Sequence, residues 1–194
     1  MNKSRLEAFS DGVIAILITI MVLELKVPDG TDWAAVRPIL PTFLVYGLTF
    51  VFVGIYWSNH HHMLHATDRI NGAILWANLH LLFWLSLTPF VTRWMGEHFA
   101  PLPVAIYGIV LLAAAIAYTI LQTVIISHQG PHSKLARAVR GDVKGKISMA
   151  LYLAAIPLAF VSRWISAAIY VGVALIWLVP DRRIESTLRE EAHR

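Results

Sequence analysis

The first 28 residues, MNKSRLEAFSDGVIAILITIMVLELKVP, constrain this chain more than any other stretch. They open on a polar cluster containing Arg5, Phe9, Ser10 and Asp11. An almost unbroken apolar run follows from Val13 to Leu23, and then come Glu24, Lys26 and Pro28. An apolar run this early is often a secretory signal, but a signal carries a purely basic flank and a small-residue cleavage site. Here an acid shares the flank with the arginine and no such site follows. The stretch reads as a membrane-spanning helix retained in the mature protein.

Composition supports that reading. Of 194 residues, 57% are hydrophobic and only 14% charged, with a mean hydropathy of +0.62. Soluble domains lie nearer half apolar and a quarter charged, so this is an integral membrane protein. The absence of cysteine excludes a disulfide framework and thiolate metal sites. A net charge of +4 raises the question of nucleic acid. In a membrane chain, however, the placement of basic residues matters more than their sum.

Six apolar segments near the length of a bilayer-crossing helix emerge, at about 6–25, 38–58, 73–94, 102–127, 147–162 and 165–179. The last two are shorter and separated only by Arg163 and Trp164, which predicts a helical hairpin. Residues 181–194 read as a short charged cytoplasmic tail. With six spans, one side holds Lys3, Arg5, Arg69, Lys134, Arg137, Arg140, Lys144, Lys146, Arg182, Arg183, Arg189 and Arg194. The other side holds Lys26, Arg37, Arg93 and Arg163. The positive-inside rule then puts both termini in the cytoplasm of a multi-pass plasma-membrane protein, and makes the basic 134–146 loop a topology signal rather than a nucleic-acid site. No internal repeat is visible, so a single special helix encloses an axial path only if copies assemble symmetrically around it.

On the first helix, Ile16, Thr19, Ile20 and Leu23 share one face by helical spacing. Periodicity alone is equally met by ordinary packing in a bundle core. Asp11 lies about 140° from Ile16 and is expected to point into the bundle, where a carboxylate needs a donor. Arg5 and Asp11 fall on different faces, so Arg5 is expected to bond to another helix.

The run Arg5-x-x-x-Phe9-Ser10-Asp11, followed by Gly12-Val13-Ile14-Ala15-Ile16 and Thr19, resembles the R-x-x-x-F-S-D signature of the transmembrane protein 175 family of potassium channels. The resemblance extends to the six-span layout and to the stretch from Trp57 to His62. A single copy of the motif is similar to the prokaryotic members. It implies an all-α membrane fold and a symmetric homotetramer, with the first helix of each subunit lining a central pore. It further implies an apolar constriction at Ile16, Ile20 and Leu23, a hydroxyl layer at Thr19, and potassium as the permeant ion, with other monovalent cations admitted and no cofactor. Selectivity would come from a narrow apolar passage that a partly dehydrated ion must cross. Glu24 would attract cations at the non-cytoplasmic mouth, an idea that Lys26 weakens. Arg5, Phe9, Ser10 and Asp11 are read as a structural clamp for the pore helix rather than as permeation residues.

The second conspicuous cluster is Asn59-His60-His61-His62-Met63-Leu64-His65. His61 and His65 are four apart, a spacing that can chelate zinc, but no acid or cysteine is close enough to complete a site. The resemblance implies instead that Trp57, Asn59 and one or more of His60 and His61 join a polar network against the motif arginine. Asn78 and His80 fall within the third span, where interhelical hydrogen bonding is the expected role. Two other classes remain in play: a histidine-dependent metal transporter or intramembrane metalloenzyme, and a scaffold whose basic loop binds anionic membrane lipid. No segment contains a nucleophile–base pair or paired carboxylates, which argues against an enzyme.

Overall fold

The structure is a computed structural model, and it describes residues 2–139 and 142–178. Helix α1 spans Lys3–Leu23, with the Asn2 side chain accepting from the Ser4 amide to cap its start. After the Pro28-containing link comes a short helix α2 (Trp33–Val36), capped by Asp32. Helix α3 (Leu40–His65) is 26 residues long and carries the whole histidine cluster within its last two turns. Helices α4 (Gly72–Ser86) and α5 (Thr88–Glu97) follow, then the 29-residue α6 (Pro101–Gln129), which stops at Gly130 with φ 93°. Helix α7 (Lys134–Val139) precedes the hairpin of α8 (Val143–Val161) and α9 (Arg163–Leu178). No strand occurs among the described residues.

Five stretches are long and apolar enough to cross a membrane: Lys3–Leu23, Leu40–His65, Gly72–Glu97, Pro101–Gln129 and Val143–Val161. The sixth, Arg163–Leu178, has 16 residues and falls short of that length. The expected 73–94 span falls within one apolar crossing, Gly72–Glu97, which is irregular at a single point. The chain turns at Leu87 between α4 and α5, because Pro89 has no N–H to give the preceding turn, whereas the Thr88 hydroxyl bonds the Leu85 carbonyl at 2.7 Å. The 134–146 segment, expected as a loop, contains α7 and the first turn of α8. The expected tail at 181–194, with Arg140, lies outside the described residues.

Contacts at the helix ends assign them to two sides. Lys3 donates to the His65 carbonyl at 3.0 Å, and Asn71 pairs with His128 at 3.2 Å, so the start of α1, the end of α3, the start of α4 and the end of α6 lie together. At the other end, Arg93 of α5 pairs with both Glu24 and Glu97, Lys26 pairs with Glu97 at 2.8 Å, and Arg163 lies over the Phe99 ring. Among the described residues, the excess of basic residues sits on the first side.

Two apolar cores fill the bundle. One joins α3, α5, α6, α8 and α9 around Phe52, Tyr107, Tyr152 and Tyr170. The other joins α1, α3, α4 and α6 around Leu17, Met63, Leu81 and Leu121, with Ile14, Met21, Val53 and Leu82 completing the α1 side. Small residues let helices approach closely, as expected where lipid offers no hydrophobic drive to associate. A β-carbon at Gly96 would lie 2.6 Å from the Thr42 Cα, so α5 meets α3 backbone to backbone only through that glycine.

Candidate functional site

Helix α1 has two unlike sides. Leu6, Ser10, Ile14, Leu17 and Met21 recur every three or four residues and are buried against α3, α4 and α6. Phe9, Ile16, Thr19, Ile20 and Leu23 are exposed, Ile16 by 57% and Leu23 by 80%. At about 100° per residue these five occupy one arc of about 100°, and Arg5 and Gly12 fall within it. The Thr19 hydroxyl donates to the Ile16 carbonyl at 2.8 Å, so within the chain its bonding is local.

The buried side is fastened by a directed chain of hydrogen bonds. The Ser10 hydroxyl donates to the Leu6 carbonyl at 2.9 Å and accepts from the Asn78 amide at 3.0 Å. The Asn78 carbonyl oxygen accepts from His60 Nε2 at 2.6 Å, which puts the ring proton on Nε2. Ser10, Asn78 and His60 are all buried, and every polar atom used in the chain has a partner. A satisfied buried network of this kind locks a unique packing arrangement, because losing one member orphans the next. A second tie sits nearer the surface, where Trp57 Nε1 donates to an Asp11 oxygen at 2.9 Å. Adjacent residues of the motif thus grip two different helices: Ser10 holds α4 and through it α3, while Asp11 holds α3 directly.

Other expected participants lie elsewhere. Arg5 is exposed and makes no hydrogen bond or ion pair with any described residue; it borders a groove with Asn2, Leu6, Phe9, Leu75 and Leu79. Within the chain the polar network therefore runs through Ser10 and Asp11, not through the arginine. Among the described residues the Asn59 side chain takes no part, and its carbonyl oxygen accepts from the Tyr118 hydroxyl at 3.4 Å. His61 is exposed, with its ring 6.2 Å from Trp57 and stacked 6.2 Å from His65 at 11°. No group of three or more His, Cys, Asp or Glu is placed to hold a metal ion among the described residues. His80 accepts from Trp84 Nε1 at 2.9 Å, one turn along its own helix, so its bond is intrahelical rather than interhelical.

At the far end of α1, Glu24 is not a free anion. Arg93 binds it and Glu97 together, and Glu97 also takes Lys26. This four-residue chain of charges ties the end of α1 to α5. Sequence reading missed two features. One is Arg93 as this bridge, which nothing in the local sequence marks. The other is the buried hydroxyl cluster of Thr49, Thr92 and Tyr107, in which Thr49 donates to the Val45 carbonyl and accepts from Thr92 at 2.8 Å. Isolated threonines within apolar segments were its only signal.

Comparison with known proteins agrees with this architecture. The family model described as "Endosomal/lysosomal potassium channel TMEM175" matches residues 5–89. A potassium channel of Chryseobacterium sp. is 58% identical over 191 residues, covering 98% of this chain and 100% of its own length. A potassium channel of Streptomyces collinus is 36% identical over 131 residues, covering 62% of this chain and 64% of its own. The crystal structure of a lysosomal potassium-selective channel TMEM175 homolog from Chamaesiphon minutus superposes with a TM-score of 0.79 at 28% identity, covering 92% of this chain and 97% of that one. By these matches, and with five helices long and apolar enough to cross a membrane, the chain is a multi-pass membrane protein that belongs to the TMEM175 family.

Proposed function

We propose that this protein is a potassium-preferring cation channel in which four copies place α1 around a central pore. The observation that carries the reading is the exposed arc of Ile16, Thr19, Ile20 and Leu23 on a helix whose other side is clamped. A helix fixed by buried hydrogen bonds presents its free side at a set angle, as a pore wall requires. An apolar arc on the outside of one subunit is covered in four-fold assembly by its own copies. The potassium-channel relatives support the substrate class.

Conduction would be passive. Ile16, Ile20 and Leu23 form apolar rings, and Thr19 supplies hydroxyls between them, so the ion sheds part of its water and meets few replacement ligands. Potassium, larger and less tightly hydrated than sodium, loses less in that passage and is preferred. The Glu24–Arg93–Glu97–Lys26 chain would stand beside the outer mouth, its charges largely compensated. Six crossings, with α9 as the short sixth, put both termini in the cytoplasm of the plasma membrane, and lipid covers the outer faces of the bundle. Potassium is cargo here and no cofactor takes part.

Purified protein in liposomes is expected to pass potassium faster than sodium, with caesium also conducted. Ile16→Ala or Leu23→Ala should raise flux or erode the preference. Absence of potassium flux under any lipid, voltage or pH condition would overturn the proposal.

A further inference from the structure

A crevice far from α1 is lined by chemistry that cation conduction does not use. It lies between α3, α6, α8 and α9 and encloses about 50 Å³. Its walls include Tyr56, Tyr118, Tyr152 and Trp177, with Asn59 and Asp142 at its polar side. The Tyr56 and Tyr118 rings meet edge to face, 6.1 Å apart at 67°. The hydroxyls of Tyr56 and Tyr152 make no hydrogen bond among the described residues, although Tyr152 is only 3% exposed. Trp177 is held in place by donating from Nε1 to the Ser148 hydroxyl at 2.8 Å.

Asp142 carries the negative charge at the polar side of this crevice. One Asp142 oxygen accepts from the Gly145 amide at 2.9 Å and caps α8, and the carboxylate makes no ion pair among the described residues. The helix N-terminus satisfies that oxygen, and the other carboxylate oxygen, beside the aromatic walls, is placed to pair with a cation. Ring faces are electron-rich and attract ammonium groups more effectively than they solvate a bare alkali ion, which needs a shell of oxygens. Lys144 already stands with its ammonium 6.0 Å from the Trp177 ring centre. The volume is that of roughly three to five water positions, enough for a small alkylammonium head.

We infer that the crevice bounded by Tyr56, Tyr118, Tyr152, Trp177 and Asp142 is a binding site for a small organic ammonium ion, with the rings cradling its methyl or methylene groups and Asp142 neutralising its charge. The ammonium can belong to a free amine or to a lipid headgroup, since the crevice opens near the end of the bundle where α8 begins. The site does not depend on the channel reading, because none of its walls belongs to α1.

The test is calorimetric titration of the full-length protein in maltoside micelles with choline chloride. The controls are its neutral isostere 3,3-dimethylbutan-1-ol and potassium chloride at matched ionic strength. Choline is expected to bind saturably and the isostere at least tenfold more weakly, the discrimination a desolvated cation site makes. Asp142→Asn keeps the cap, because asparagine caps as well as aspartate, and removes only the charge. It should weaken choline at least tenfold, and Tyr118→Leu should do the same by removing a wall. Unchanged choline binding in both variants, or equal binding of choline and the isostere, overturns the inference. Repetition in nanodiscs separates the sources. Saturable choline binding in phosphatidylglycerol that disappears when phosphatidylethanolamine is added assigns the site to a lipid headgroup, and binding in both assigns it to a free ion.

Discussion

The two sides of α1 are built from the same kinds of residue and have opposite fates. Ile14 is 1% exposed and Ile16, two residues on, is 57% exposed. Their difference lies in direction: about 200° of rotation separates them, so one faces α3 and α4 while the other faces away from the subunit. What fixes that rotation is polar. Ser10, in the middle of the buried side and bound to α4, and Asp11, on its flank and bound to α3, leave the helix no freedom to turn an apolar stripe inward in place of another. In an apolar solvent, side-chain hydrophobicity does not distinguish inside from outside, so hydrogen bonds and close packing set orientation.

Substitutions on the buried side of α1 should have the largest effect on stability. Ile14→Ala should cost about 3 kcal/mol of unfolding free energy, the usual range for a buried methyl cluster lost to a cavity, measured by denaturant titration of the solubilised protein. Asn78→Leu should cost about 2 kcal/mol, because it leaves the His60 Nε2–H buried without an acceptor. Its distinguishing sign is faster deuterium exchange across α1, since the helix loses its tie to α4. Trp57→Phe keeps an aromatic side chain but deletes the donor to Asp11, and should cost about 1 kcal/mol at this more exposed position. Ile16→Ala is expected to change unfolding free energy by less than about 0.5 kcal/mol while altering ion flux. A stability loss at Ile16 as large as that at Ile14 would erase the distinction between the two sides.

The gross features were legible in the sequence for simple reasons. Apolar runs near bilayer length become helices because backbone groups have no other partner in lipid, and all of the expected spans contain a helix. Basic residues concentrate on one side because orientation depends on them, and the end contacts of α1, α3, α4 and α6 place them there. The Arg5–Asp11 motif marked the stretch of α1 that carries the clamp. Its internal division was not legible: Ser10 and Asp11 bond within the chain, while Arg5 and Phe9 stay on the exposed arc. Four histidines in a row of six residues look alike on paper. Only His60 is directed at Asn78, since α3 turns about 100° per residue and carries His61 to the outside.

The residues alone establish a helical membrane protein of the TMEM175 family and the approximate course of its apolar helices. Those properties follow from hydropathy, charge placement and a local motif, all carried by residues close in the chain. The tertiary structure alone decided which apolar stripe of α1 is covered, which histidine completes the clamp, and that Arg93 rather than solvent takes up Glu24. Each of these joins residues from different helices, and relative helix rotation is set by the combined packing of α1, α3, α4, α5 and α6 rather than by any one segment.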